Sequence, residues 1–485
     1  MKKVIAAFLF LLSFVLNAQA PKKFYTRFGG YGHDIGYSVV QTLNGQYAVT
    51  GSTSSFGNGN TDVYLALVDS MGWVRWEKSY GGFNNDIGRS IIQLKDSGFV
   101  IAGYTNSFGS GGYDVFAVRT DKNGNLIWQK AFGGFDWDFG YCVKESNGGD
   151  SLIICGNTYS FGYGKSDGYI IKTDINGNLQ WQKAYGGAED DEFKSFTLTY
   201  NNQYAFAGTT KSMGDTKGDC WLMKTNLGGD SLISYSKQTS RKENINDINE
   251  TNDKGFILCG GADTSNGAPE RTDSYLLKVD EFGNFQWERP YGLGIVADDQ
   301  HHSMTKSKTT NETYAYVRKT DNGPQALDPN LMLLNSGGYY IAQTSYGSLS
   351  NEELFCIEST RDKGYILFGY TFGYGAQLSD FYLLKTDSSI YGSNSSMISV
   401  DEVNKPLQEL SVFPTITSDI INIKLSGKSK ILTYFISDLT GKLITERNSI
   451  VSDESINVTN LIDGVYFLTI DNGSIRKSFK FVKLK

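Results

Sequence analysis

The residues best equipped for proton or metal chemistry lie close together at Asp298, Asp299, His301 and His302. Neighbouring histidine and aspartate can share a proton as an acid–base pair or converge on a metal ion. His33 is the one other histidine, so imidazole chemistry has few places to be. The same run also reads as a solvated loop, because polar loops need no special cause. The chain has no nucleophile elbow, HExxH helix or phosphate loop, and its GxGxxG-like strings lack a strand-to-helix setting.

Carboxylates recur instead at regular intervals. Asp62, Asp114, Asp167, Asp219, Asp273, Asp328 and Asp380 each open an apolar run such as DVYLALVD or DFYLLKTD. A second series, Asp34, Asp86, Asp138, Asp191 and Glu352, with Asp247 and Asp298 as less regular members, precedes another set of apolar runs. Brought together, Asp34, Asp86, Asp138 and Asp191 could hold a hard cation such as calcium through oxygen ligands. Both series also read as turn builders, since aspartate bonds nearby backbone amides. Tyr31, Phe83 and Phe135 follow Gly-Gly pairs, with Trp137 close by, and Phe56, Phe108 and Phe161 sit in SFGNG, SFGSGG and SFGYG. Aromatic rings beside carboxylates suit a glycan or peptide ligand. Their regular recurrence equally suits packing between repeats.

A repeat must position these residues. Trp76, Trp128, Trp181 and Trp287 each begin a segment of the type WEKSYGG or WQKAYGG, and Tyr235 fills the gap before Trp287. The period is near 52 residues, as from Trp76 to Trp128. Seven residues after each Asp62-type residue comes Asp or Asn, and in six units glycine follows three positions on, from Gly72 to Gly338. Asp-x-x-Gly between two apolar runs is hairpin chemistry, because glycine accepts positive φ. The sixth unit is worn, with Ala342 where tryptophan is expected.

Each unit reads as four strands. In the second these are Arg89–Leu94, Gly98–Thr105, Asp114–Asp121 and Leu126–Phe132. Four antiparallel strands repeated seven times predict an all-β, seven-bladed β-propeller over residues 21–392. Phe24 to Gly30 (FYTRFGG) aligns with WQKAFGG, whereas the seventh unit runs out after its third strand. The N-terminal strand is therefore expected to complete the last blade and remove an exposed edge. The strand–turn–Trp pattern resembles the quinoprotein-dehydrogenase-like propeller superfamily over roughly residues 24–392. That resemblance implies the architecture. Quinone enzymes of that group have eight blades, an adjacent cysteine pair and a calcium site, and this chain has neither the eighth unit nor adjacent cysteines.

Residues 393–406 are polar, end in Pro406 and read as a linker, and the period stops after them. LSVFP, IINIKL, YFISDLTGK, LIDGVYFLTI and KSFKFVKL within 407–485 suggest a small Ig-like β-sandwich. Their order, with Asp438 to Lys442 (DLTGK), Leu461 to Tyr466 (LIDGVY) and a basic last strand, resembles the type A C-terminal sorting domain of the type IX secretion system. Phe413-Pro414-Thr415-Ile416 departs from the usual Tyr-Pro-Asn-Pro-like run. The resemblance implies engagement of the type IX machinery, passage across the outer membrane, then release or attachment at the surface.

The other end agrees with export. Lys2 and Lys3, the apolar run Val4 to Leu16 and Ala18-Gln19-Ala20 make residues 1–20 a signal peptide. The apolar run is too short to span a bilayer, and no other stretch qualifies, so no transmembrane segment is expected in the mature chain. The first cysteine is Cys142, which argues against a lipid-anchored start. Cys142 and Cys155 could face each other across one hairpin, although all five cysteines also read as buried small side chains. A net charge of −7 argues against a nucleic-acid partner. The expected function is a non-enzymatic secreted or surface propeller that binds a glycan or an outer-membrane protein through its loops. The alternatives are a polysaccharide-active enzyme using Asp298 and Asp299 as acid and base, or a structural surface component. No cofactor is assigned beyond the calcium reading.

Overall fold

The computed structural model describes residues 23–484 apart from 215, 264–271, 293–299, 310–311, 322–326, 349, 375, 377, 391–397, 402–409, 414–415, 426–431, 439–442, 451–453 and 472–475. The expected signal peptide, residues 1–20, lies outside the described residues. Two compact units result, one up to Glu402 and one from Val403 onward. No helix among the described residues is long and apolar enough to cross a membrane.

The first unit is a β-propeller. Blade 1 consists of strands a (Asp34–Gln41), b (Tyr47–Thr53), c (Asp62–Val68) and d (Val74–Tyr80), paired in that order. Blade 2 repeats it with Asp86–Gln93, Phe99–Thr105, Asp114–Thr120 and Leu126–Phe132. The strands a of blades 3 to 7 begin at Asp138, Asp191, Glu243, Gln300 and Glu352. Each strand a packs on the next one round, and that of blade 7 packs on that of blade 1, so these strands line a closed ring. Burial explains the layering: strands b and c are apolar on both faces and nearly inaccessible, while strands d carry the exposed outer edge.

Phe24–Phe28 is the fourth strand of blade 7, antiparallel to Asp380–Thr386, with Phe24 opposite Lys385 and Phe28 opposite Phe381. Phe24 and Phe28 are buried, and Arg27 forms an ion pair with the buried Asp380. Part of the expected linker is not a linker. Ile398–Asp401 pairs in parallel with Phe24–Thr26 and Arg27 as a fifth strand, because the closing strand would otherwise leave its outer backbone groups unpaired.

Two local features set the blade geometry. At the c–d turn, Gly72, Gly124, Gly177, Gly229, Gly283 and Gly338 all have φ between 74° and 92°. Four of them receive a tryptophan ring from the preceding blade: a β-carbon at Gly124 would lie 2.7 Å from Trp76, and one at Gly338 2.7 Å from Trp287. Trp128 and Trp181 cover Gly177 and Gly229 in the same way. In strand a, a β-bulge interrupts pairing in every blade, as between Gly36 and Ser38 or Gly88 and Ser90. The bulge tilts a carbonyl over strand b, where a β-carbon at Gly103 would sit 1.8 Å from the Ile87 oxygen. Strand a of blade 2 therefore starts at Asp86 and not at Arg89, since the residues on both sides of the bulge are paired.

The second unit packs a three-stranded sheet (Leu410–Phe413, Ile420–Leu425, Glu454–Asn457) against a five-stranded one that contains Leu432–Asp438, Gly464–Asp471 and Arg476–Lys483. Ile421, Ile423 and Ile456 of the first sheet meet Ile436, Leu468 and Phe481 of the second in one core.

Candidate functional site

The b–c loops and the loops from d to the next a share one face: Asn60 donates to the Asn84 carbonyl and Asp86 to that of Thr61. The two carboxylate series lie under this face, one at the start of strand c and the other at the start of strand a. Asp34 accepts hydrogen bonds from Gly30 N (2.7 Å), Thr53 Oγ1 (2.5 Å) and Ser55 Oγ (2.7 Å). Asp86 and Asp138 repeat that set with Gly82, Thr105 and Ser107 and with Gly134, Thr158 and Ser160. Asp191 is held by Gly187 N and Ser212 Oγ. All four are buried inside their own blades, so they are spread around the ring instead of meeting at its centre. Among the described residues no three His, Cys, Asp or Glu side chains gather as a metal site.

Strand a of blade 5 starts at Glu243, not at Asp247. Asp247 lies four residues farther along, where it accepts from Ser195 Oγ (2.8 Å), Ser303 Oγ (3.1 Å) and Met304 N (3.0 Å), tying three blades together. Asp62, Asp114 and Asp167 accept backbone amides of the b–c loops, from Gly59, Ser110 and Gly164 respectively. Asp219 accepts from Thr239 N, Asp273 is buried, and Asp380 pairs with Arg27. Burial raises the Asp62, Asp114 and Asp167 carboxyls, and the strand-a carboxylates Asp86, Asp138 and Asp191 add to the effect. Burial and Glu352 bring Asp328 up to about 6.

The aromatic residues divide into two classes. Phe56, Phe108 and Phe161 pack on Tyr64, Phe116 and Tyr169 of strands c, with ring centroids 5.6–6.0 Å apart. Tyr31, Phe83 and Phe135 stand at the tips of three consecutive d–a loops and are 60%, 85% and 94% exposed. Trp137, half exposed, begins a ladder that descends the channel wall. Its ring lies 6.3 Å from Phe139, which stacks at 2° and 6.4 Å on Tyr141. Tyr113, Tyr159 and Tyr104 flank the ladder, the first two against Trp137 and the last against Phe139.

The throat consists of the bulged residues, the one unpaired position of each strand a: Tyr37, Arg89, Tyr141, Lys194, Asn246, His302 and Phe355. They touch across blade boundaries. Arg89 lies 4.1 Å from the Tyr37 ring and 5.9 Å from that of Tyr141, and Lys194 lies 3.9 Å from the other side of Tyr141. Phe355 closes the circle between His302 (4.8 Å) and Tyr37 (5.3 Å).

His302 is thus in the channel wall. Its Nε2 lies 2.8 Å from Glu353 Oε1, an ion-pair contact without hydrogen-bond alignment. Tyr370 donates to Glu353 Oε2 at 2.7 Å, with Lys319 at 3.4 Å. Burial alone would raise the Glu353 carboxyl, but His302, Tyr370 and Lys319 hold it down to about 2. His301 falls in the same strand one residue before the bulge, and Asp298 and Asp299 lie outside the described residues.

Cys142 and Cys155 are directly opposed in blade 3, and all five cysteines are free. A hydrogen bond with the Cys155 thiol beside it draws the Cys142 thiol below its ordinary value. A cavity of about 670 Å³ opens on the second unit, lined by Asp419, Leu461, Ile462 and Lys483, with no part of the throat in it.

Residues 411–484 match the family model of the secretion system C-terminal sorting domain. The chain thus ends in a type IX sorting domain, and it is exported and then secreted or attached to the outer cell surface. No curated protein matches the chain. Among solved structures, PorZ, an essential surface component of the type IX secretion system of Porphyromonas gingivalis, aligns at 13% identity and a TM-score of 0.42. The alignment covers 94% of this chain but 59% of that one, so the chain spans about three-fifths of PorZ. The β-propeller domain of the Trilobed protease from Pyrococcus furiosus aligns at 6% identity and 0.43, covering 74% of this chain and 94% of that one. Polysaccharide lyase Uly1 aligns at 10% and 0.43, covering 74% and 90%.

Proposed function

We propose that the chain is a non-enzymatic recognition propeller, started on its route by a signal peptide at residues 1–20 and delivered by its sorting domain, which binds a glycan at the channel mouth. The observation that carries this reading is the Trp137–Phe139–Tyr141 ladder. It breaks the symmetry of the repeat, because the corresponding residues are Asn85, Ile87 and Arg89 in blade 2 and Asp190, Glu192 and Lys194 in blade 4. A packing role would call for the same residues in every blade, whereas a single ligand needs a single differentiated wall. Flat apolar rings on blades 1 to 3 offer the stacking surface that pyranose rings require. Phe83 and Phe135 extend the stacking surface onto the rim.

The test is a glycan array probed with the purified protein, followed by titration of the strongest class. Trp137→Ala should weaken that binding about tenfold, the worth of one stacked ring. A modest drop in melting temperature is expected, because the half-buried ring packs on Tyr113, Phe139 and Tyr159, and the melt shows that the variant remains folded under the binding conditions. An array with no reproducible class would sink the glycan reading in favour of a protein partner.

A further inference from the structure

The throat contains one carboxylate whose partners the chain supplies and one cation, on another blade, that has no carboxylate among the described residues. In blades 6 and 7 the Glu353 carboxylate is built in, between Tyr370 Oη (2.7 Å), His302 (2.8 Å) and Lys319 (3.4 Å). In blade 2 the corresponding strand positions are Tyr104 for Tyr370 and Ile87 for Glu353, so the tyrosine remains and the acid is gone. Arg89 occupies the bulge beside it, its guanidinium carbon 4.1 Å from the centre of the Tyr37 ring and 5.9 Å from that of Tyr141. It has no carboxylate and no hydrogen-bond acceptor among the described residues. Lys194, the next cation round, is already neutralised by Glu192 at 2.6 Å. Burial raises the Tyr104 hydroxyl and Arg89 pulls it back, while Tyr37 and Tyr141 push it up, so these polar groups lie within electrostatic reach of one another.

A guanidinium presents five donors and accepts nothing, and a stacked one keeps its donor edge free. Its planar fork matches a carboxylate in bidentate fashion. We propose that Arg89, with the hydroxyls of Tyr37, Tyr104 and Tyr141, binds the carboxylate of an acidic sugar that enters past Trp137. This rests on the glycan reading and narrows it to uronate-bearing chains. The sugar ring lies along the Phe139 wall with its carboxylate on the guanidinium of Arg89, beside Ile87, which fills the position that Glu353 holds in blade 7. Sequence reasoning passed over Arg89, although the residue after the glycine changes from tyrosine to arginine between DIGYSV and DIGRSI and back to tyrosine in DFGYCV.

The full-length protein is titrated calorimetrically with three probes: trigalacturonate, its neutral counterpart galactotriose, and the sugar-free tricarballylate. The expected result is a preference for the acidic over the neutral trisaccharide of about ten- to a hundredfold. Arg89→Met should erase that preference, and Arg89→Lys, which keeps charge but loses the fork, should retain part of it. Thermal melts establish that both variants are folded. Equal affinity for the two trisaccharides overturns this inference and leaves the glycan reading standing. Binding of tricarballylate alone, lost in Arg89→Met, upholds the carboxylate site and removes the sugar. No binding of any probe overturns this inference, and the glycan reading then stands or falls on the array.

Discussion

At the scale of single residues, the throat shows how a β-bulge turns a structural strand into a functional one. Paired residues of strand a are tied to their neighbours, but the bulged residue is free to vary, and it faces the channel. Glu358, farther along strand a of blade 7, illustrates the electrostatic consequence. Burial raises its carboxyl from 4.5 to about 7, while Lys144 and Lys308 pull it down and Asp247 pushes it up. The sign follows from linkage. Below pH 4 both folded and unfolded chains hold the proton and the group costs nothing. As pH rises, the unfolded chain ionises first, so stability falls until the folded carboxyl also ionises near pH 7, and the full cost remains above that. Glu358→Gln should therefore raise the melting temperature at pH 8 and leave it unchanged at pH 4, with a gain of at most about 3 kcal/mol. Equal differences at both pH values would mean that the carboxyl titrates normally. Carboxylates such as Asp62 and Asp86 were legible in the sequence because the first series recurs in every unit and the second in most of them. Arg89 was not, and His302 was singled out but read as part of a loop, because which side of a strand faces the channel depends on a bulge that the hydrophobic alternation does not reveal.

At the scale of elements, turn chemistry carried most of the fold. The Asp-x-x-Gly spacing located every c–d hairpin of the first six units, and the tryptophan spacing located the ring that covers each turn. What the spacing could not show is that these two features are partners across blades. Blade 6 makes the partnership visible. It carries Ala342 at the tryptophan position, and the turn it faces in blade 7 carries Ile390 in place of glycine. Ile390 adopts φ of 52°, an unfavourable conformation for a β-branched residue, and Tyr346 donates to its carbonyl at 2.6 Å just as Tyr80 does to that of Gly124. The large and small members of the pair have exchanged sides. Ala342→Trp alone should destabilise the protein by about 1–3 kcal/mol through overpacking. Combined with Ile390→Gly it should recover most of that loss, which denaturant melts of the double-mutant cycle would read as a coupling of about 1 kcal/mol or more. Strictly additive effects would show that the two positions do not share one cavity. The start of strand a was misplaced by three residues for a related reason: the paired segment extends through a bulge that breaks the pattern from which a strand is recognised.

At the scale of the whole molecule, closure and export are separate devices at opposite ends of the chain. The sorting domain was legible because several motifs come in order near the C-terminus, and closure was legible because FYTRFGG is a fourth strand with no first three before it. The fifth strand, Ile398–Asp401, was hidden in a segment whose composition is that of a linker. The closing strand contributes far more than backbone pairing. It buries Phe24 and Phe28 completely, each worth about 2–3 kcal/mol, and neutralises Asp380 with Arg27. Burial raises the Asp380 carboxyl and Arg27 lowers it, so removal of the strand leaves a carboxylate in an apolar setting without its cation. Deletion of residues 21–28 also opens the edge of Asp380–Thr386 and strips Ile398–Asp401 of its partner. Two lost phenylalanines amount to about 5 kcal/mol, which at roughly 2–3 °C per kcal/mol predicts a melting temperature lower by about 10 °C or more. The exposed edge should make the truncated protein associate as its concentration rises, visible by light scattering. Arg27→Met, which keeps the strand and removes only the charge, should lose part of the stability without this added association. A truncated protein that melts unchanged and scatters no more light than the intact one would show that the ring holds without its closing strand.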